Sequence, residues 1–351
     1  MIDDLNLHDR SGPSEQNWGK AMQCTRRAFG SLIVGGVSSA GAGFMNAARS
    51  NTIVTTAEPD GPDHLPRRRV KALDAEISYV DVGEGEPVVF LHGNPTWSYQ
   101  WRNIIPYVSP QRRCLAPDLV GMGWSGKSPA KTYRYADHSG YMDAWFEALQ
   151  LTKNVTLVGH DWGAVIAFAR ARRFPDQVKA IAYFEAIILP RRWDDYTGGR
   201  DRQFRALRSP EGERLVLDEN MFVEVVLPRG ILRKLTDDEM AAYRVPYRDR
   251  ERRLPTLVWP RELPIEGEPA DVVAIVDQNA RWLAASSGVP KLFINGDPGV
   301  SISGRIREFC RTLPNQSEVT VRGLHHLQED SPKEIGEALR AFVLGKGTRS
   351  Q

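Results

Sequence analysis

From position 70 onward the chain alternates short β-rich apolar runs with stretches of helical spacing, which predicts α/β architecture with a mostly parallel sheet. Strands are expected at 75–82, 88–91, 113–116, 155–158 and 178–184. Tyr141, Trp145 and Leu149 recur at helical spacing within 136–151, and a second helix, 164–173, is ended by Pro175. Between 190 and 287 the rhythm stops. That stretch holds charged amphipathic segments with scattered aromatics and no strand pattern. Strand spacing resumes at 291–295 and 318–321, and a helix at 332–344 closes the chain. A helical block between two strands of a parallel sheet reads as a cap over the strands' carboxyl ends, where open α/β sheets bind ligands. The expected organisation is therefore a leader and linker over 1–69, a core over 70–189, a cap over 190–287 and the rest of the core over 288–351.

Composition changes this picture little. The 351 residues are 41% hydrophobic and 26% charged, ordinary for a globular protein. Lys plus Arg (46) nearly balances Asp plus Glu (44), which argues against a nucleic-acid surface. Cys24, Cys114 and Cys310 form no CxxC pair and no metal cluster, and read as incidental thiols. The amino-terminal segment is more informative. Thr25-Arg26-Arg27-Ala28-Phe29 precedes a weakly apolar run rich in Gly, Ala and Ser over 32–48, an order resembling a twin-arginine export signal. Export to the periplasm is the expectation, and a cytoplasmic protein with a chance Arg-Arg pair the alternative. The run is too short and glycine-rich for stable membrane insertion.

The candidate chemistry begins at Gly159-His160-Asp161-Trp162-Gly163, between an expected strand and an expected helix. A Gly-x-nucleophile-x-Gly turn at that junction is the nucleophile elbow of the α/β-hydrolase fold, and Ser usually holds its centre. Here Asp161 does. Serine attack on a saturated carbon would leave an ether that water does not readily release. Carboxylate attack leaves an ester whose carbonyl is open to a second attack, and a carboxylate needs no base to ionise it at pH 7. Asp161 therefore points to displacement at an sp3 carbon, either a carbon–halogen bond or an epoxide ring.

Hydrolysing that ester calls for a general base. His325 and His326 follow the last strand, as the order nucleophile, acid, histidine requires. The acid that orients the histidine has two candidates. Glu185 ends the strand after the nucleophile's, amid apolar residues. Asp297, in Asn295-Gly296-Asp297-Pro298-Gly299, ends the next strand and also suits a turn. Asn94, in His92-Gly93-Asn94-Pro95-Thr96, and Trp162 both carry N–H donors and no negative charge, as a departing halide demands.

Together these segments resemble the haloalkane dehalogenases over roughly residues 70–343. Asp118-Leu119-Val120-Gly121-Met122-Gly123, Phe184-Glu185-Ala186-Ile187 and Gly323-Leu324-His325-His326-Leu327-Gln328-Glu329-Asp330 carry much of the match. The resemblance is nearest to the subgroup with a Glu acid and Asn/Trp halide donors, which includes tetrachlorocyclohexadiene-hydrolysing enzymes. It implies an eight-stranded α/β-hydrolase with a helical cap. It also implies a triad of Asp161, His325 and Glu185, with Asn94 and Trp162 holding halide. Another subgroup places its acid where Asp297 stands. The partners implied are a small halogenated hydrocarbon, halide and water, with no metal or organic cofactor. Arg229-Gly230 in the cap departs from the usual pattern.

Two other functions compete. An epoxide hydrolase would share the Asp nucleophile but needs an acid at the epoxide oxygen, typically paired cap tyrosines, for which Tyr196, Tyr243 and Tyr247 are available. Asn94 favours a halide instead. A catalytically silent ligand-binding protein would be expected to lack the nucleophile, the histidine or the acid, and all three are present.

Overall fold

The computed structural model describes residues 65–345. The twin-arginine motif, Cys24 and most of the expected linker lie outside them. Among the described residues, no helix is long and apolar enough to cross a membrane.

Eight strands form one sheet in the order β1-β2-β4-β3-β5-β6-β7-β8. They are β1 Arg67–Ala72, β2 Ala75–Val82, β3 Pro87–Leu91, β4 Arg113–Pro117, β5 Val155–His160, β6 Val178–Phe184, β7 Lys291–Pro298 and β8 Gln316–Gly323. β2 runs antiparallel to both β1 and β4, and the remaining pairs are parallel. The strands read as apolar runs because both faces of the sheet are buried. Val89, Leu91, Leu157, Ile181 and Tyr183 pack into one apolar layer. Val88, Phe90, Val158, Ala182 and Phe184 alternate with them into the other.

The helices that bear on the site are α1 Tyr135–Ala148, α2 Trp162–Arg173, α3 Arg200–Arg208, α4 Asp237–Arg244, α5 Leu254–Glu262, α6 Ala270–Ala285, α7 Gly304–Arg311 and α8 Pro332–Val343. The segment between β6 and α6 is helical, with short turns and no strand.

Two expected boundaries are corrected. The sheet begins at Arg67, inside the expected linker, because the arginines there alternate across a strand. Arg67 turns inward, within 3.0 Å of the Asp118 carboxylate, while Arg68 is exposed. The cap, in turn, ends before 287. Helix α6 packs on helix α2, where Arg172 Nε donates to Asn279 Oδ1 at 3.0 Å and Asn279 Nδ2 donates to the Val165 carbonyl at 3.3 Å. It is the crossover helix from β6 to β7 and belongs to the core. Cys114 and Cys310 are free and buried, and burial pushes both thiols up to about 12.

Candidate active site

β5 ends and α2 begins around Asp161, whose backbone sits at φ 53° and ψ −123°. A non-glycine residue held there stores strain that the surroundings must stabilise. The neighbouring glycines allow the turn. A methyl group at Gly159 would strike the backbone of Ala164, and one at Gly163 would strike the carbonyls of Leu91 and His92. Helix α2 thus approaches β3 more closely than any side chain permits.

The loop after β3 is clamped from below. His92 Nε2 accepts the amide of Leu119 at 2.8 Å. Its other ring nitrogen lies 3.0 Å from the Gly93 carbonyl, an arrangement that sets the tautomer. The Asp118 carboxylate accepts the amides of Ser98 at 2.8 Å and Trp124 at 3.0 Å. So fixed, the Asn94 amide donates to Asp161 Oδ1 at 2.9 Å, and the Trp162 amide also bonds the same carboxylate. Oδ1 of Asp161 is thus held by the Asn94 amide. Its other oxygen, Oδ2, lies 3.7 Å from His325 Nε2, beyond hydrogen-bond reach. Burial raises the Asp161 pKa, while His325, both amides and the charge of Arg191 act in the opposite direction.

His325 Nδ1 lies 3.2 Å from Glu185 Oε2 and 3.2 Å from Ser301 Oγ. Glu185 is buried, and the chain after β7 turns its amides onto it. Val300 donates at 3.0 Å, Ser301 at 2.6 Å and Ile302 at 3.4 Å. Burial pushes the His325 imidazole down, but the Glu185 hydrogen bond and the charges of Asp161 and Glu185 outweigh it and raise the pKa. The structure brings Asp161, His325 and Glu185 together. It leaves Asp297 exposed, and among the described residues Asp297 has no hydrogen bond to His325.

His326 is buried beside His325, with ring centroids 4.8 Å apart, and lines the cavity. Burial and the His325 charge hold both His160 and His326 well below the ordinary imidazole range, so both are neutral. His160 Nε2 bonds the His325 carbonyl at 2.9 Å. The three imidazoles offer nitrogens within 4.8 Å of one another. His325 Nδ1 is already engaged by Glu185, so a cation there would compete with that bond.

Asn94, Asp161, Trp162 and His325 open into one cavity of about 310 Å³, roofed by cap residues such as Tyr196, Phe204 and Phe222. The Trp162 indole stacks on Trp259, with centroids 4.5 Å apart. Of the three cap tyrosines, only Tyr196 lines the cavity. Tyr243 is buried with its hydroxyl on Glu329, and the Tyr247 hydroxyl donates to the Thr96 carbonyl at 3.2 Å. Among the described residues, no pair of tyrosines lines the cavity with Asp161.

Two contributions could not be assigned a role from the sequence. The Gly230 carbonyl in the cap accepts the amides of both His325 (3.0 Å) and His326 (2.9 Å). A methyl group at Gly230 would stand 3.0 Å from the His326 ring, which favours glycine there. Beside it, Asp330 accepts the amides of Leu232 at 2.9 Å, Arg233 at 3.1 Å and Leu324 at 3.2 Å. Glu329, with no side-chain exposure, takes Arg102 at 2.6 and 2.9 Å and is also bonded by Arg233 and Tyr243. The loop carrying His325 is pinned by cap and core together.

Comparison with known proteins places this geometry. The chain matches the alpha/beta hydrolase fold family over residues 86–332. A haloalkane dehalogenase of Sphingobium indicum is 54% identical over 281 residues, covering 79% of this chain and 95% of that protein. The coelenterazine h 2-monooxygenase of Renilla reniformis is 43% identical over 289 residues, covering 81% and 92%. The crystal structure of a haloalkane dehalogenase from Bradyrhizobium elkani superposes with a TM-score of 0.77 at 43% identity, covering 80% of this chain and 98% of that one.

Proposed function

The chain belongs to the haloalkane dehalogenases, within the alpha/beta hydrolase fold, and from that premise we propose how its residues divide the hydrolysis of carbon–halogen bonds. Asp161 Oδ2 is the attacking atom, because Oδ1 is held by the Asn94 amide and Oδ2 is the oxygen turned toward His325. It displaces halide from the substrate carbon and forms an alkyl ester, while the Asn94 amide group and the Trp162 indole N–H receive the departing anion in the cavity they line. His325 then takes a proton from water, which adds to the Asp161 carbonyl carbon. The Asn94 and Trp162 backbone amides stabilise the oxyanion. The ester C–O bond breaks as the His325 imidazolium returns its proton to the leaving oxygen, releasing alcohol and the Asp161 carboxyl group. Glu185 holds the imidazole with Nε2 free to accept and stabilises its cation.

The observation that carries this reading is the line from the Asp161 carboxylate through His325 to a buried Glu185. The absence of paired tyrosines over Asp161, among the described residues, weighs against epoxide opening. Purified protein is expected to release bromide from 1-bromohexane, and His325→Ala to retain the alkyl group on the Asp161 peptide in mass spectrometry. An unmodified peptide together with opening of an epoxide would overturn the proposal. We also propose export by the twin-arginine route, supported by residues 25–29. The periplasmic fraction of cells expressing the full chain should hold the activity, and Arg26→Lys with Arg27→Lys should retain it in the cytoplasm.

A further inference from the structure

The cavity carries more positive charge than the displacement reaction calls for. Arg191, Arg200 and Arg229 all line it. Arg191 is 6% exposed, and its guanidinium donates to two carbonyls, those of Ser301 at 2.7 Å and Ala186 at 3.1 Å. Arg67 and Arg170, as deeply buried at 7% and 3%, each face a carboxylate, at 3.0 Å from Asp118 and 2.9 Å from Asp143. Arg191 has no carboxylate within 4 Å among the described residues. Arg200, half-buried at the start of α3, donates to the carbonyls of Thr197 and Val300 and likewise lacks an ion pair. Arg229, exposed at the rim, makes no hydrogen bond or ion pair with the described residues. Two carboxylates also line the cavity. Asp195 is turned to Arg305 at 2.8 Å, which leaves Asp161 alone against the arginines.

A buried cation without a carboxylate is costly, and it is retained where something else is to pair with it. Guanidinium groups match carboxylates in a planar, two-bonded geometry. Ile187, Phe204, Leu207, Phe222, Val226 and Leu263 give the lining apolar surface that suits a hydrocarbon chain. Resting on the dehalogenase reading, we propose that this enzyme takes haloalkanes whose far end is an anion, the ω-halocarboxylates. The carbon–halogen bond faces Asp161, and the carboxylate faces Arg200 and Arg229 at the mouth. The chemistry is unchanged: the carbon–halogen bond breaks as the bond to Asp161 Oδ2 forms, halide leaves with the electron pair, and water restores Asp161 to yield an ω-hydroxycarboxylate. The alkylation step neutralises Asp161, which removes one carboxylate that competes with the anionic end for the arginines.

The test is bromide release from 4-, 6- and 8-bromoalkanoates against their neutral primary amides, on the full-length enzyme, with 1-bromohexane as a further substrate. At low ionic strength the ratio of kcat/KM, carboxylate over amide, is expected to reach about 10-fold or more at one chain length, the gain of a single charge-assisted contact. Raising sodium sulfate should lower that ratio. Arg200→Gln and Arg229→Gln, alone and together, should bring it toward unity. The ratio cancels general damage to the enzyme. A wild-type ratio near or below unity at every length, with 1-bromohexane still turned over, overturns this proposal and leaves the dehalogenase reading intact. No bromide from any substrate overturns that reading itself. A flat ratio combined with bromide product inhibition that weakens in the arginine variants would assign the cluster to the departing halide instead.

Discussion

Glu185→Gln separates the two halves of the reaction. Glu185 accepts three loop amides, at 3.0, 2.6 and 3.4 Å, and faces His325 Nδ1 at 3.2 Å. Glutamine keeps one acceptor oxygen and replaces the other with an NH2. If that NH2 turns to the loop, donors face donors. If it turns to His325, Nδ1 must accept, the proton moves to Nε2, and the imidazole no longer serves as a base. The loop amides divide between the two oxygens, Val300 and Ile302 on Oε1 and Val300 and Ser301 on the Oε2 that faces His325. An NH2 at either position therefore meets loop donors, and both arrangements remove the charge that stabilises the imidazolium. The comparable carboxylate-to-amide change in a serine protease triad costs about 10⁴-fold in turnover through the wrong tautomer. Ester hydrolysis here is expected to fall by about 10³- to 10⁴-fold, which corresponds to roughly 4–5.5 kcal/mol of barrier. The alkylation half needs no base and should slow by less than about 10-fold. Rapid-quench single turnover with 1-bromohexane and mass spectrometry of the Asp161 peptide distinguishes the halves. Wild type should show an ester that forms and decays. Glu185→Gln should show a burst of bromide and an ester that persists. Wild-type decay in Glu185→Gln, or a persistent ester in Asp297→Asn instead, refutes the reasoning.

Other outcomes follow from the same contacts. Glu329→Gln leaves Arg102 and Arg233 short of a buried partner. Glu239 compensates in part, at 2.8 Å from Arg102 and 2.7 Å from Arg233, so a loss of about 3 kcal/mol is expected. Tm should drop by roughly 6–12 °C, read by circular dichroism, and an unchanged Tm would contradict the network's role. Gly163→Ala drives a methyl group into the Leu91 carbonyl and should cost more than about 4 kcal/mol. Wild-type soluble yield and melting would show that the close approach is dispensable. For pH dependence, His325 must be neutral to act as a base, and its folded pKa is raised above 6.5, mainly by Glu185 and Asp161 working against burial. Base function is thus lost as pH falls through that raised value, and an NMR titration of the resting enzyme should find it above 6.5. Once Asp161 is an ester, one raising charge is gone, so the acid limb of ester decay should lie below the NMR midpoint. A limb above it would contradict this account.

Much of the fold was legible because buried parallel strands write themselves as apolar runs. The expected strands at 75–82 and 178–184 coincide with β2 and β6. The first strand was hidden because Arg67-Arg68-Arg69 reads as a polar linker, and only the distant Asp118 shows that one of them is inside. Helix α6 was assigned to the cap because its amphipathic spacing does not reveal which layer its apolar face meets. At the site, Asp161 was conspicuous from its flanking glycines. The acid was not decidable from sequence, since Glu185 and Asp297 both end neighbouring strands. What separates them is which side chain the 300–302 amides converge upon, a fact of loop conformation. Gly230 showed in the sequence only as a departure from the usual pattern, since its contribution is a backbone carbonyl that any residue possesses.

That carbonyl bears on how the molecule can be recombined. With the amides of His325 and His326 both hung on Gly230, and Asp330 bonded to the 232–233 backbone, residues 229–233 and 323–330 form one interlocked module spanning 90 or more positions of chain. A chimaera that swaps the cap of a relative at its sequence borders divides that module and inherits a histidine loop fitted to another cap. Grafts that carry both segments together keep the lock with its key, and the same reasoning couples any drift at 230 to compensating change at 326.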